Sequence, residues 1–287
     1  MITTFFRRFS AVLLLTLVVA GCSTAFTYRH LDWLIPWYVD GYVDLTRDQR
    51  HLLQDQLMPV LQWHEGEELG RYLETLGQVE SDLQGEVTPA QVRSWADKII
   101  SAVERVEQNM LSVALEFSES LSDEQLTEFI ESVWEEHREY EEEYLPRTGQ
   151  EYIEENAENL EDFLEEYTGR LNHEQQAVLF HAAGALRRFD SAWLEDHEQW
   201  LNTLEPLLKR EPGWEDAIRV AYANRTLQRP PEYTELLEYN MDVVATAIAE
   251  VLNSLTEKQQ KHLFAEIDDL RAQIRKLLSK RNFSAAN

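Results

Sequence analysis

Apolar residues along this chain return every three or four positions, in runs too long for anything but helices. Val92, Trp95, Ile99, Val103, Val106, Met110, Val113 and Phe117 form one such stripe. Leu126, Phe129, Ile130, Val133 and Trp134 form another, and Ile153, Ala157, Leu160, Leu164 and Tyr167 a third. Near the carboxyl end Leu263, Ile267, Leu270, Ile274 and Leu277 step by four, three, four and three. Each spacing lays one apolar face along a helix. No stretch alternates apolar and polar residues with the β-branched enrichment a strand needs. The expected fold is therefore all-α, an elongated antiparallel helical bundle. Breaks are expected near Gly66 and Gly70, Gly85, Pro146 and Gly149, Gly169, Pro206, Pro212 and Gly213, and Pro230 and Pro231. They leave about eight helices. No linker is long or polar enough to part domains, so residues 46–281 read as one helical domain and 282–287 as a disordered tail.

Five segments carry one helix-start signal: Leu45-Thr46-Arg47-Asp48-Gln49, Val87-Thr88-Pro89-Ala90-Gln91, Leu121-Ser122-Asp123-Glu124-Gln125, Leu171-Asn172-His173-Glu174-Gln175 and Leu255-Thr256-Glu257-Lys258-Gln259. Each runs apolar, small polar, two variable residues, Gln. In such a capping box the small side chain accepts from an early amide, and the Gln reaches back to the N–H of the cap. Pro89 stands at a first helical position, where its missing N–H breaks no helical bond. Val87 can staple onto Val92 and Leu121 onto Leu126, whereas Leu45 faces Arg50.

The same pattern resembles the LTxxQ motif of the Spy and CpxP family of periplasmic proteins. Leu45-Thr46…Gln49 and Leu255-Thr256…Gln259 match it outright; the boxes at Ser122 and Asn172 match with a substituted cap. The resemblance covers short patches and implies a small helical chaperone or stress regulator. This chain departs from that family in its length, its acidity and its amino terminus, and helix capping alone also accounts for the motif.

The first residues follow a different rule. Arg7 and Arg8 precede the apolar run 11–20, interrupted only by Thr16, which closes on Val19-Ala20-Gly21-Cys22. Two cations, an apolar stretch and a small-residue cut site make a secretory signal peptide over residues 1–21. The run is shorter than the roughly 20 residues a spanning helix needs. Cys22 after the small pair resembles the lipobox of bacterial lipoproteins. That resemblance implies cleavage between Gly21 and Cys22, a lipid thioether on Cys22 and an acylated new amino terminus, so that the chain meets the membrane through acyl chains. Ser23, where an aspartate would favour retention at the inner membrane, implies the outer membrane, on its periplasmic side. Ser23, Thr24 and Ala25 reach only about 10 Å when extended, which keeps the body close to the bilayer.

Tyr28, Trp33, Trp37, Tyr38 and Tyr42 follow within fifteen residues, with Pro36 and Gly41 as expected breaks. Residues 22–45 therefore read as a lipidated amino terminus and aromatic-rich arm. This segment resembles the opening of an uncharacterised family of Gram-negative outer-membrane lipoproteins, a resemblance that spans most of the mature chain and implies no activity. For Trp33, Trp37 and Tyr38 two readings are open: packing of the arm into the helical core, which is the expectation, and an exposed interaction surface beside the lipid. Trp193, His197, Trp200 and Leu201 share a helix face, where core packing is expected and a recognition patch through Trp193 and Trp200 is the alternative.

Charge narrows the partners. Fifty-three acids against twenty-six Lys and Arg give −27, and loss of residues 1–21, which hold Arg7, Arg8 and no acid, makes this −29. Such a surface argues against nucleic acid, whose binding rests on clustered cations. It suits solubility, and it admits a basic protein partner or divalent cations. The acids concentrate in one run, from Glu135 and Glu136 through Glu141, Glu142 and Glu143 to Glu165 and Glu166. The single cysteine excludes an internal disulfide, so stability must come from packing.

Catalytic patterns are missing. No G-x-S-x-G elbow, phosphate-binding glycine loop or His-Glu-x-x-His occurs. No His follows a Glu by three residues, the spacing of helical carboxylate–metal sites. His51 with Asp48 and Asp55, and His137 with Glu141, share helix faces, as chance allows among so many acids. No cofactor or metal is expected. The expected role is a non-enzymatic one in binding, assembly or envelope quality control. A Spy-like tethered chaperone is the alternative, and an envelope hydrolase built on two converging acids is the remaining one.

Overall fold

The structure, a computed structural model, describes residues 27–284, with side chains through residue 279. The signal segment, Gly21 and Cys22 lie outside the described residues. Within them the chain forms eleven α-helices and one π turn, with no strand. In order these are α1 (Leu31–Asp40), α2 (Arg47–Trp63), the π turn (His64–Glu68), α3 (Leu69–Asp82), α4 (Pro89–Ser118), α5 (Asp123–Tyr144), α6 (Gly149–Thr168), α7 (His173–Ala185), α8 (Asp190–Leu207), α9 (Trp214–Gln228), α10 (Pro231–Asn253) and α11 (Glu257–Ser284).

The all-α expectation holds, with eleven helices in place of eight. One addition is α1, which runs through Pro36. Proline inside a helix costs about 3 kcal/mol. Leu31 and Ile35 are 2% and 3% exposed, and burying two such side chains returns roughly 1.5–3 kcal/mol each. Three more breaks carry neither Gly nor Pro, at residues 119–122, 186–189 and 254–256, whereas the expected break at Pro206 is absent because α8 runs through it to Leu207. The expected break at Gly66 and Gly70 is instead the π turn, where the backbone widens without ending the helical path. Helix α11 continues to Ser284, past the expected start of a tail at 282.

The helices pack as two compact units, each drawn from three stretches of chain. Unit one holds α1, α2, α4 from Ala102 onward, α5, α8 and α9; unit two holds α3, α4 through Ser101, α6, α7, α11 and nearly all of α10. Three of the five changes of unit fall inside the π turn, α4 and α10, and the other two, at 145/146 and 189/190, fall in loops of about four residues, too short to read as linkers. Trp200, Leu201, Leu204, Ile130, Val133 and Ile218 anchor the core of unit one. Leu164, Leu179, Val251, Leu263 and Ile267 anchor that of unit two, beside a smaller cluster of Val87, Val92, Ala245 and Ala249.

Both units follow one plan. Leu45-Thr46…Gln49…Leu53…Leu57 of the α2 region recurs in the α7 region as Leu171-Asn172…Gln175…Leu179…Ala183, with the apolar members buried in both. Glu116…Ser120-Leu121-Ser122…Gln125…Val133 recurs as Glu250…Ser254-Leu255-Thr256…Gln259…Ile267. Each unit combines helices of its own half with a hairpin from the other half. Unit one borrows α8–α9, and unit two borrows α3 with the first part of α4.

Candidate functional site

Helix starts build the first recurring feature. Thr46, Ser122 and Asn172 each accept from the third helical amide, and Gln49, Gln125 and Gln175 return a bond to the cap N–H. Thr88 with Gln91 and Thr256 with Gln259 do the same. A sixth box, Thr148 with Glu151, escaped a pattern that required Gln, although Glu serves as well.

What the sequence does not reveal is that the boxes pair. In unit one the Gln49 and Gln125 amides hydrogen-bond each other at 2.9 Å in both directions. Gln49 Nε2 also donates to the Ser120 carbonyl and Gln125 Nε2 to the Asp44 carbonyl, each at 2.8 Å. In unit two Gln259 donates to Gln175 Oε1 at 2.9 Å and to the Arg170 carbonyl at 3.0 Å, and Gln175 donates to the Ser254 carbonyl at 3.2 Å. Each Gln thus reaches the carbonyl two residues before its partner's cap. The Thr88 box stands apart: Asn253 grips the Val87 backbone through both its N–H, at 2.8 Å, and its carbonyl, at 2.7 Å.

Unit one contains most of the buried polar chemistry. His137 Nδ1 lies 2.9 Å from His197 Nδ1, with the rings stacked at 5.1 Å. Trp193, half-buried, stacks on His197 at 4.8 Å and meets Tyr140 at 4.1 Å. His197 Nε2 is buried without a hydrogen-bond partner. Burial, with His137 and Arg225 nearby, pushes the His197 pKa down to about 2, and burial lowers that of His137. A buried Arg225 bonds Asp196 at 3.2 Å and lies 4.7 Å over the Trp200 ring. Burial depresses its pKa, and Asp196 opposes that shift. Burial and hydrogen bonds to Tyr38 and Glu136 hold the Tyr42 phenol far above its ordinary range.

Trp200 is 5% exposed and belongs to the core, so the surface alternative fails for it. The reverse holds on α1. Trp33 and Trp37 are 56% and 63% exposed, against the expectation of core packing, while Tyr38 is half-buried on Tyr42. The helix continues through Pro36, and in its register Leu31 and Ile35 turn inward and the two Trp turn outward.

An apolar cavity of about 140 Å³ lies inside unit one, lined among others by Ile35, Val39, Val113, Ala114, Leu204 and Trp214. The hydroxyls on its lining are spent elsewhere. Ser118 Oγ donates to the Leu115 carbonyl at 2.7 Å, and the Tyr222 hydroxyl donates to Glu107 at 2.9 Å.

Metal and acid chemistry find less here. His51 is exposed and bonded to Gln54, and His137 is taken up by His197. Among the described residues no group of three or more His, Cys, Asp or Glu could hold a metal ion. Four buried acids have partners: Glu107 has Tyr222, Asp190 has Tyr140, Asp196 has Arg225 and Glu68 has Arg71. No described helix is long and apolar enough to cross a membrane.

The sequence of this all-helical body matches a family of unknown function, DUF6279, over residues 41–234. The chain belongs to that family. No curated protein and no solved structure matches it. The family match includes both hairpins and three of the four paired boxes, and it carries no activity with it.

Proposed function

We propose that this DUF6279 protein is a lipid-anchored helical binding protein on the periplasmic face of the outer membrane, and that it works without catalysis. The observation that carries this reading is the exposure of Trp33 and Trp37, one helical turn apart on the first described helix and shortly after Cys22. Tryptophan settles at the membrane–water interface because its ring is apolar and its N–H is polar. With Cys22 acylated, both rings would rest at the bilayer surface and the acidic body would face the periplasm, open to a basic protein partner. Two experiments test this. Mass spectrometry of the mature amino-terminal peptide should find acyl chains on Cys22, and the protein should fractionate with outer membranes. An unmodified thiol, or recovery with cytosolic markers, overturns the reading. A basic partner should bind less tightly as salt rises to physiological strength.

A second reading, a tethered chaperone of the Spy kind, is favoured by the four LTxxQ-like boxes and by apolar side chains left exposed, among them Phe163, Phe180, Val220 and Leu227. It requires that the protein suppress aggregation of an unfolded client at near-equimolar ratio. Failure to do so leaves the first reading alone.

A further inference from the structure

We propose that the unit-one cavity receives the end of an alkyl chain from a membrane lipid. The lining selects hydrocarbon. A bound water needs two to four polar partners. Here the Ser118 and Tyr222 hydroxyls are already committed, and the remaining side chains are aliphatic or aromatic apart from the Met110 thioether and the indole N–H groups of Trp200 and Trp214. Apolar cavities near 150 Å³ take up ligands the size of benzene, so about 140 Å³ suits roughly six carbons.

Helix α1 links this cavity to a bilayer. Ile35 and Val39 line it, and Trp33 and Trp37 stand exposed on the opposite side of the same helix. A helix whose outer face rests at the lipid interface brings its inner face within reach of acyl chains. The formal charge of −27 disfavours anionic ligands, so the donor is a lipid with a zwitterionic head, such as phosphatidylethanolamine, and not a free fatty-acid carboxylate. The choice of a bilayer source rests on the membrane placement proposed above; the preference for an alkyl chain rests on the lining alone.

The test uses the full mature chain carrying Cys22→Ala, which has no thioether lipid to occupy the cavity. Titration with n-alcohols from butanol to decanol, followed by tryptophan fluorescence, should be saturable. Affinity should rise about fourfold per methylene and level off near six carbons. Ala114→Leu fills the cavity and should weaken hexanol binding at least tenfold, with helicity unchanged by circular dichroism. Val113→Ile is a gentler filling that should bring the plateau forward by about one carbon, and it serves if Ala114→Leu folds poorly. In a Trp33→Phe/Trp37→Phe background, phosphatidylethanolamine vesicles brominated at the chain ends should quench the remaining tryptophans, and Ala114→Leu should remove that quenching.

Non-saturable alcohol binding, or binding unchanged in both filled variants, overturns the cavity. Saturable alcohol binding without vesicle quenching overturns the membrane-lipid source. Failure of the anchor itself is read separately, from the mass of the Cys22 peptide and from fractionation of the unmutated protein.

Discussion

The side-chain amides of Gln49 and Gln125 donate to each other at 2.9 Å, across 76 residues of sequence. Each also caps its own helix and holds a backbone carbonyl of the other's turn, so one contact fixes two helix starts. Replacing Gln125 with Ala should cost about 1–3 kcal/mol, because the Asp44 carbonyl and the Gln49 amide both lose a partner. Gln49→Ala and Gln125→Ala should be coupled by roughly 1 kcal/mol in a double-mutant cycle read by urea unfolding. Additive losses would mean the two amides act only as separate caps.

The paired histidines make stability fall in acid. Both are held neutral in the fold, below the ordinary pKa of 6.5. The unfolded chain therefore binds more protons, and the contribution is complete above pH 6.5 and is lost as pH falls below it. For His197, with its folded value pushed to about 2, the loss between pH 7.5 and 5.5 is about 1.4 kcal/mol. Glu141 and Glu198 oppose the shift at His137, whereas Arg138 adds to it, as Arg225 does at His197. His197→Phe should flatten the dependence of the urea midpoint on pH by about that amount, relative to the parent protein.

Asp196 keeps a buried cation tolerable. It accepts from Arg225 at 3.2 Å, with Arg229 at 3.8 Å. Asp196→Ala leaves Arg225 buried and unpaired and should cost about 3–5 kcal/mol in thermal or urea unfolding. The double variant Asp196→Leu/Arg225→Met, which removes both charges, should recover most of that loss. Equal destabilisation in the two variants would show that packing over Trp200 matters more than the charge.

Gly169 ends α6 at φ +70°, ψ −175°, a conformation open essentially to glycine alone. A Cβ there would meet the His262 ring at an ordinary 3.5 Å, so backbone strain and not collision sets the cost. Gly169→Ala should destabilise by about 1–3 kcal/mol. Gly149→Ala at the start of the same helix, where a Cβ meets nothing and φ is not positive, should be near neutral and serves as the control.

Local chemistry was legible in the sequence, and distant chemistry was not. Thr46 and Gln49 announce a cap because both partners lie within one turn. Nothing near Gln49 announces Gln125. Pro36 reads as a break because its missing N–H is a local fact, yet the burial that carries α1 through it depends on helices elsewhere in the chain. The same limit inverted the expectation for Trp33 and Trp37: residue type favours burial, but the register set by Leu31 and Ile35 turns both rings outward. His137 and His197 were each visible on a helix face, yet sixty residues of chain hid their stacking. The two units went unseen because the chain passes between them three times within helical segments and twice through loops of about four residues, which no long polar linker marks.

The exchanged hairpins give the family's boundary an awkward physical meaning. Residues 41–234 lack α1, which brings Leu31 and Ile35 to unit one, and almost all of α10 and α11, which bring Val251, Leu263 and Ile267 to unit two. A fragment trimmed to those limits would keep α7 but strand Gln175 without Gln259, and would leave apolar surface open to water in both halves. Anyone expressing the matched segment alone should expect it to aggregate more readily than the longer chain. Inheritance drew that border, and hydrophobic closure requires a wider one.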